Sequence, residues 1–151
     1  MDHKDLDVWK ESMLLAKEVY LLTKGFPKEE LYGITSQIRR ASVSVPSNIA
    51  EGAARSSDKE FIQFLYISLG SISELETQLL LSRDLGFIGT LDILPKIELT
   101  KKKLLGLIKY LKNKPKKITL LPLTTHYSSF TTHYSSFTIQ YSPFTTQTRA
   151  A

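Results

Sequence analysis

No cysteine occurs among the 151 residues, which excludes disulfide frameworks, thiolate zinc sites and cysteine nucleophiles together. Histidine is scarce. The three present are His3, near the N-terminus, and His126 and His133, inside a repetitive stretch, so none lies where a rigid scaffold is expected to hold a metal or relay a proton. Glu74 and Glu76 are two apart and point to different faces of a helix, whereas helical carboxylate ligands want a spacing of three or four. Such acids are expected to be solvated or salt-bridged. There is no Gly-rich phosphate loop, nucleophile elbow or Glu-x-x-His string. These absences argue against an enzyme, a metal site and any cofactor. Long apolar runs are missing as well. Nothing approaches the roughly 20 residues of a spanning helix, and the charged first ten residues do not make a secretory signal. A cytoplasmic location without a membrane partner is expected.

In bulk the composition is ordinary, 42% hydrophobic and 23% charged, enough for one domain with a core. The net charge of +5, in contrast, averages three dissimilar regions. Residues 1–92 hold 10 Lys and Arg against 14 Asp and Glu, a net −4. Residues 93–117 hold 9 Lys against the single Glu98, a net +8, and in residues 118–151 only Arg149 is charged.

Four amphipathic segments read as helices. In the first, from Asp7 to Thr23, Trp9, Met13, Ala16, Tyr20 and Thr23 share a stripe, with Leu15, Val19 and Leu22 on the adjoining strip. Gly25, through a left-handed conformation, and Pro27 should stop it. One further turn is expected at Pro27 to Tyr32. The second segment, from about Ile34 to Ala54, puts Ile34, Ile38, Ala41, Val45 and Ile49 on one face. Its interior Pro46 deletes a backbone hydrogen bond to the Ser42 carbonyl, at about 3 kcal/mol if uncompensated. A kink is expected, with the hydroxyls of Ser42, Ser44 or Ser47 satisfying the freed groups, or else a break into two helices. The third segment opens on a capping box, Ser57-Asp-Lys-Glu60, in which Ser57 accepts from the Glu60 amide and Glu60 reaches back to the Ser57 amide. It runs to Leu85, stopped by Gly86, with Phe61, Phe64, Leu65, Ser68, Ile72, Leu75, Leu79 and Ser82 inward. The fourth starts near Leu91, tolerates Pro95 in its first turn, turns Leu94, Ile97, Leu104, Ile108 and Leu111 inward, and ends at Asn113-Lys-Pro115. Gly70 and Gly106, each costing a helix about 1 kcal/mol, are expected where helices pack closely.

After Lys117 the composition changes. Thr125-His-Tyr-Ser-Ser-Phe-Thr131 repeats as residues 132–138 and, degenerately, as 139–145. A period of seven without an apolar pair at coiled-coil positions, in residues that form helices poorly, reads as a disordered low-complexity tail over 118–151, after a bundle over 1–117. Aromatics alternating with uncharged residues leave strand-like self-association as the competing reading.

Four strings carry a resemblance: Leu6-Asp-Val-Trp9, the stretch from Gly33 to Gly52 with its Pro-Ser-Asn-Ile-Ala-Glu-Gly ending, the stretch from Phe61 to Leu79, and Leu105-Gly-Leu-Ile-Lys-Tyr-Leu111. Together they resemble the four-helix-bundle proteins encoded in 23S ribosomal RNA intervening sequences, over about residues 6–113. Related to these are the accessory variability determinant proteins of diversity-generating retroelements. The resemblance implies an all-α, antiparallel up-down four-helix bundle with a proline-kinked second helix, assembled as a homopentamer. For the retroelement branch it also implies binding to RNA or DNA and to a reverse transcriptase.

The lysines of the fourth segment are the one feature pointing at a partner. Lysine is a compact, strongly hydrated charge that suits phosphate without reading sequence, and Tyr110 is the lone aromatic there for base stacking. The nucleic-acid contacts expected are therefore Lys96, Lys101, Lys102, Lys103, Lys109 and Lys112, with Arg39, Arg40 and Arg55 as weaker candidates and RNA favoured over DNA. A five-fold ring would multiply the local charge to about +40. The competing readings are a solvated helix face and a scaffold receiving an acidic protein partner. Ser42, Pro46, Asn48 and Glu51 are expected to form a polar network about the kink.

Overall fold

A computed structural model describes residues 2–115. Lys116, Lys117 and the repeat tail expected over 118–151 lie outside the described residues. Those described form α1 (Asp7–Leu22), α2 (Ile34–Ala53), α3 (Asp58–Asp84) and α4 (Leu94–Asn113), with single 3-10 turns at His3–Asp5, Thr23–Gly25 and Lys28–Glu30 and no strand. None of these helices is long and apolar enough to cross a membrane.

Local chemistry sets the helix ends. Ser57 caps α3 by accepting from the Glu60 amide at 3.2 Å. The return half of the capping box differs from the expected form, because the Ser57 hydroxyl also donates to Glu60 Oε2 at 2.7 Å. At the other end Gly86 takes φ +77°. The Phe87 amide reaches the Ser82 carbonyl and the Gly86 amide reaches Arg83, both at 2.9 Å, the paired bonds of a Schellman stop. Gly25 works differently from expectation. Its φ is not positive, and α1 tightens into the 3-10 turn at Thr23–Gly25 before Pro27.

The core is built from Val8, Leu15, Val19, Ile38, Val45, Ile49, Phe61, Leu65, Ile72, Leu75, Leu79, Ile97, Leu104 and Ile108, all buried. In α1 the expected stripe holds only in part. Ala16 and Thr23 of that stripe and Leu15 and Val19 of the adjoining strip are buried together with Val8 and Ser12, while Met13 and Tyr20 are 46% and 44% exposed. The sequence pattern there is apolar over two adjoining strips, and the branched and smaller side chains took the dry side.

α1 packs on α2 and α4, and α3 packs on the same two, so α2 and α4 occupy opposite corners. Contacts between neighbours run in opposite directions. Along α2 and α3, Gln37 meets Gln78, Ser44 meets Ser71, and the Val45 carbonyl accepts from Ser68. Along α1 and α4, Glu11 meets Lys103 and Glu18 meets Lys96. Along α3 and α4, Tyr66 meets Lys112 and Glu76 meets Lys101. In each pair one number rises as the other falls, the mark of antiparallel neighbours.

α2 runs unbroken through the buried Pro46, so the two-helix alternative does not occur. Side-chain donors surround the proline but are not aimed as expected at the Ser42 carbonyl. Ser42 Oγ donates to the Arg39 carbonyl at 2.8 Å, Ser47 Oγ to Val43 at 2.8 Å, Asn48 Nδ2 to Ser44 at 2.8 Å, and the buried Ser68 of α3 donates to Val45 at 3.1 Å. Close packing belongs to Gly52, where a Cβ would fall 2.6 Å from Phe64 Cβ and 2.7 Å from the Phe61 ring. Gly70 and Gly106, expected to be the packing glycines, instead face open space.

Candidate nucleic-acid interface

A helical repeat of about 100° per residue distributes the α4 lysines over three faces. Lys96 and Lys103, two turns apart, reach α1. Lys96 pairs with Glu18, and Lys103 Nζ donates to Glu11 Oε2 at 3.0 Å. Glu11 and Glu18 share the seven-residue spacing, so the pairs form an antiparallel ladder. On the other flank Lys101 donates to Glu76 of α3 at 2.5 Å and to Glu98 at 3.4 Å. Lys112 donates to the Tyr66 hydroxyl at 2.9 Å and lies 5.2 Å from its ring centre. Past the helix end, Lys114 lies 3.3 Å from Asp58.

Lys102 and Lys109 remain. They are seven residues apart, exposed, and form no ion pair among the described residues. The expectation of one unbalanced basic surface is thereby corrected. Residues 93–117 contain a single acid, but Glu11, Glu18, Glu76 and Asp58 come to them from α1 and α3 and offset four of the eight net positive charges at the bundle's surface.

Lys101 is the most enclosed of these, its side chain 20% exposed. Burial pulls its pKa down, and the hydrogen bonds and charges of Glu76 and Glu98 outweigh that and leave it above the ordinary lysine value. It is thus a charged staple between α3 and α4.

The outward stripe comprises Leu99, Lys102, Gly106, Lys109, Tyr110 and Asn113, all exposed. It holds two free ammonium groups about 10 Å apart along the axis, an aromatic ring and a bare glycine backbone. One acid borders it: Glu98, exposed and four residues before Lys102, with its carboxylate 3.4 Å from Lys101.

The arginines are not brought to this surface. Arg39 ties α2 to the end of α1, its Nε donating to Thr23 Oγ1 at 2.9 Å and its guanidinium lying 5.1 Å from the Tyr20 ring centre. Arg55 pairs with Glu51 at 2.5 Å and sits 4.8 Å from the Phe64 ring centre. Arg40 is exposed, but on α2, across the bundle from α4. Glu51 and Asn48 are occupied by Arg55 and Ser44, and no group of three His, Asp or Glu among the described residues is placed to hold a metal.

Sequence reading missed two features. One is the acid ladder, signalled by equal spacing in Glu11/Glu18 and Lys96/Lys103. The other is an apolar groove of about 430 Å³ between α1 and α2, lined by Trp9, Met13, Tyr20, Val43, Pro46 and Ala50 among others.

Comparison with known proteins agrees with this helical architecture. A crystal structure of a protein of unknown function from the S23 ribosomal protein family of Bacteroides thetaiotaomicron is 25% identical, with a TM-score of 0.51 over 69% of this chain and 94% of that one. No curated protein matches. The family model for the 23S rRNA-intervening sequence protein matches residues 4–106, from the 3-10 turn before α1 to the middle of α4. The chain belongs to the 23S rRNA-intervening sequence protein family.

Proposed function

We propose that the chain acts without catalysis or cofactor, as a homo-oligomeric bundle that binds nucleic acid through the outward stripe of α4, with RNA preferred to DNA. The observation that carries the reading is the pairing pattern. Among the described residues Lys102 and Lys109 have no acid partner, whereas Lys96, Lys101 and Lys103 do. The preference for RNA rests on the ribosomal RNA named in the family's description.

Affinity would come from release of counterions from the phosphate backbone, the lysines themselves reading no base edge. Two stripe lysines make few contacts, so useful affinity requires several chains presenting the stripe together. The pentamer implied by the family resemblance would supply them. The exposed apolar groove between α1 and α2 supplies surface for assembly.

The test is binding of a structured RNA, and of DNA of the same sequence, by wild type and by the Lys102→Glu/Lys109→Glu variant, with circular dichroism as the folding control. Loss of RNA binding in a folded variant is the expected result. Unchanged affinity would end this assignment. The same unpaired lysines suit carboxylates as well as phosphates, which gives a second reading, a scaffold whose basic stripe receives an acidic protein such as a reverse transcriptase. A pull-down from nuclease-treated lysate separates the two, since protein partners retained without RNA support the scaffold.

A further inference from the structure

The C-terminal end of the outward stripe is a shallow depression of about 430 Å³ lined by Gly106, Lys109, Tyr110, Asn113, Lys114 and Pro115. Tyr110 is 63% exposed, although a tyrosine ring on a helix surface ordinarily lies down over a neighbour one turn earlier. Here that neighbour is Gly106. A Cβ at Gly106 would meet nothing within 4 Å, so the space over Gly106 is vacant and the ring does not lie down on it. Gly106 costs the helix about 1 kcal/mol relative to alanine, and no packing within the bundle accounts for it.

We infer that Tyr110 is a stacking platform for an unpaired base, so that this surface takes single-stranded nucleic acid in preference to a duplex; the inference rests on the nucleic-acid reading of α4. Three observations converge. The ring is exposed and shares its depression with a residue that has no side chain. Asn113, three residues on and exposed, offers an amide donor and acceptor at the depression's edge, complementary to the polar edge of a base. Lys109 is unpaired and Lys102 lies two turns behind it, both placed for the phosphates flanking a stacked nucleotide. Lys114 pairs with Asp58 across 3.3 Å, both side chains about half exposed, a contact weak enough for a phosphate to replace. The last carbonyls of α4 form the negative end of its dipole and disfavour anions near the axis. A strand would therefore lie with its bases toward Tyr110 and its phosphates out at the ammonium groups. A duplex offers phosphates and no free base face, and so gains from the lysines alone.

The test is fluorescence anisotropy with the full chain, using a short single-stranded oligouridylate and a duplex RNA of equal length as probes. Tyr110→Ala should weaken oligouridylate binding by roughly 5- to 100-fold, the range of one lost base stack, and leave duplex binding within about twofold. Tyr110→Phe should retain binding to both. Gly106→Leu, which fills the vacant space without touching the ring's chemistry, should reproduce the Tyr110→Ala loss. Lys102→Gln/Lys109→Gln should weaken both probes together. Equal or absent effects of Tyr110→Ala on the two probes, beside a loss with the lysine variant, would overturn the stacking platform and leave the nucleic-acid reading standing. Failure of wild type to bind either probe would overturn both.

Discussion

Gly52 and Gly70 are the same residue type in neighbouring helices, and the space around them makes opposite demands. A methyl group at Gly52 would collide with Phe61 and Phe64, so Gly52→Ala should destabilise the bundle by about 1–3 kcal/mol. At Gly70 nothing lies within reach, and Gly70→Ala should stabilise it by about 0.5–1 kcal/mol. Thermal or urea unfolding of the two variants reads the contrast directly. A loss at Gly70 would mean that another chain packs there. Lys101 makes a prediction of a different kind. Because its folded pKa is raised, its contribution is fully present below the ordinary lysine value of about 10.4 and fades as pH climbs through the higher folded value. The stability gap between wild type and Lys101→Gln should thus be constant from pH 7 to 9 and shrink above about pH 10.4. A gap that closes at neutral pH would contradict this.

At the scale of the element, α4 serves two purposes on separate faces. Changing Lys96 and Lys103 together to Gln strands Glu18 and Glu11, and should lower the melting temperature by a few degrees, since half-exposed pairs are worth about 0–1 kcal/mol each. The same change should leave RNA binding near wild type. Much of this was legible beforehand. Helix number, the Ser57 cap, the Gly86 stop and the Asn113 end all follow from local chemistry, which does not depend on neighbours. In α1 the apolar residues span two adjoining strips, and only tertiary packing decides that Leu15, Ala16 and Val19 are dry while Met13 and Tyr20 are not. The charge of α4 was misjudged for the same reason. A count along 93–117 finds one acid, while the acids that matter are brought by α1 and α3.

The whole molecule reads as a bundle whose fourth helix pairs Lys96, Lys101 and Lys103 with acids and leaves Lys102 and Lys109 on an outward stripe. That arrangement gains strength only by repetition. Light scattering should accordingly give a mass several times that of one chain at micromolar concentration, and a lone chain would remove the multiplied field and most of the expected affinity. The most direct test is the salt dependence of RNA binding, measured for wild type, Lys102→Gln/Lys109→Gln and Lys96→Gln/Lys103→Gln. Two phosphate contacts per chain contribute about 1.4–1.8 to the slope of log affinity against log salt. The outward variant should lose that slope, and the α1-facing variant should keep it. A slope lost with Lys96 and Lys103 but kept without Lys102 and Lys109 would contradict the division of α4 into a structural side and a binding side.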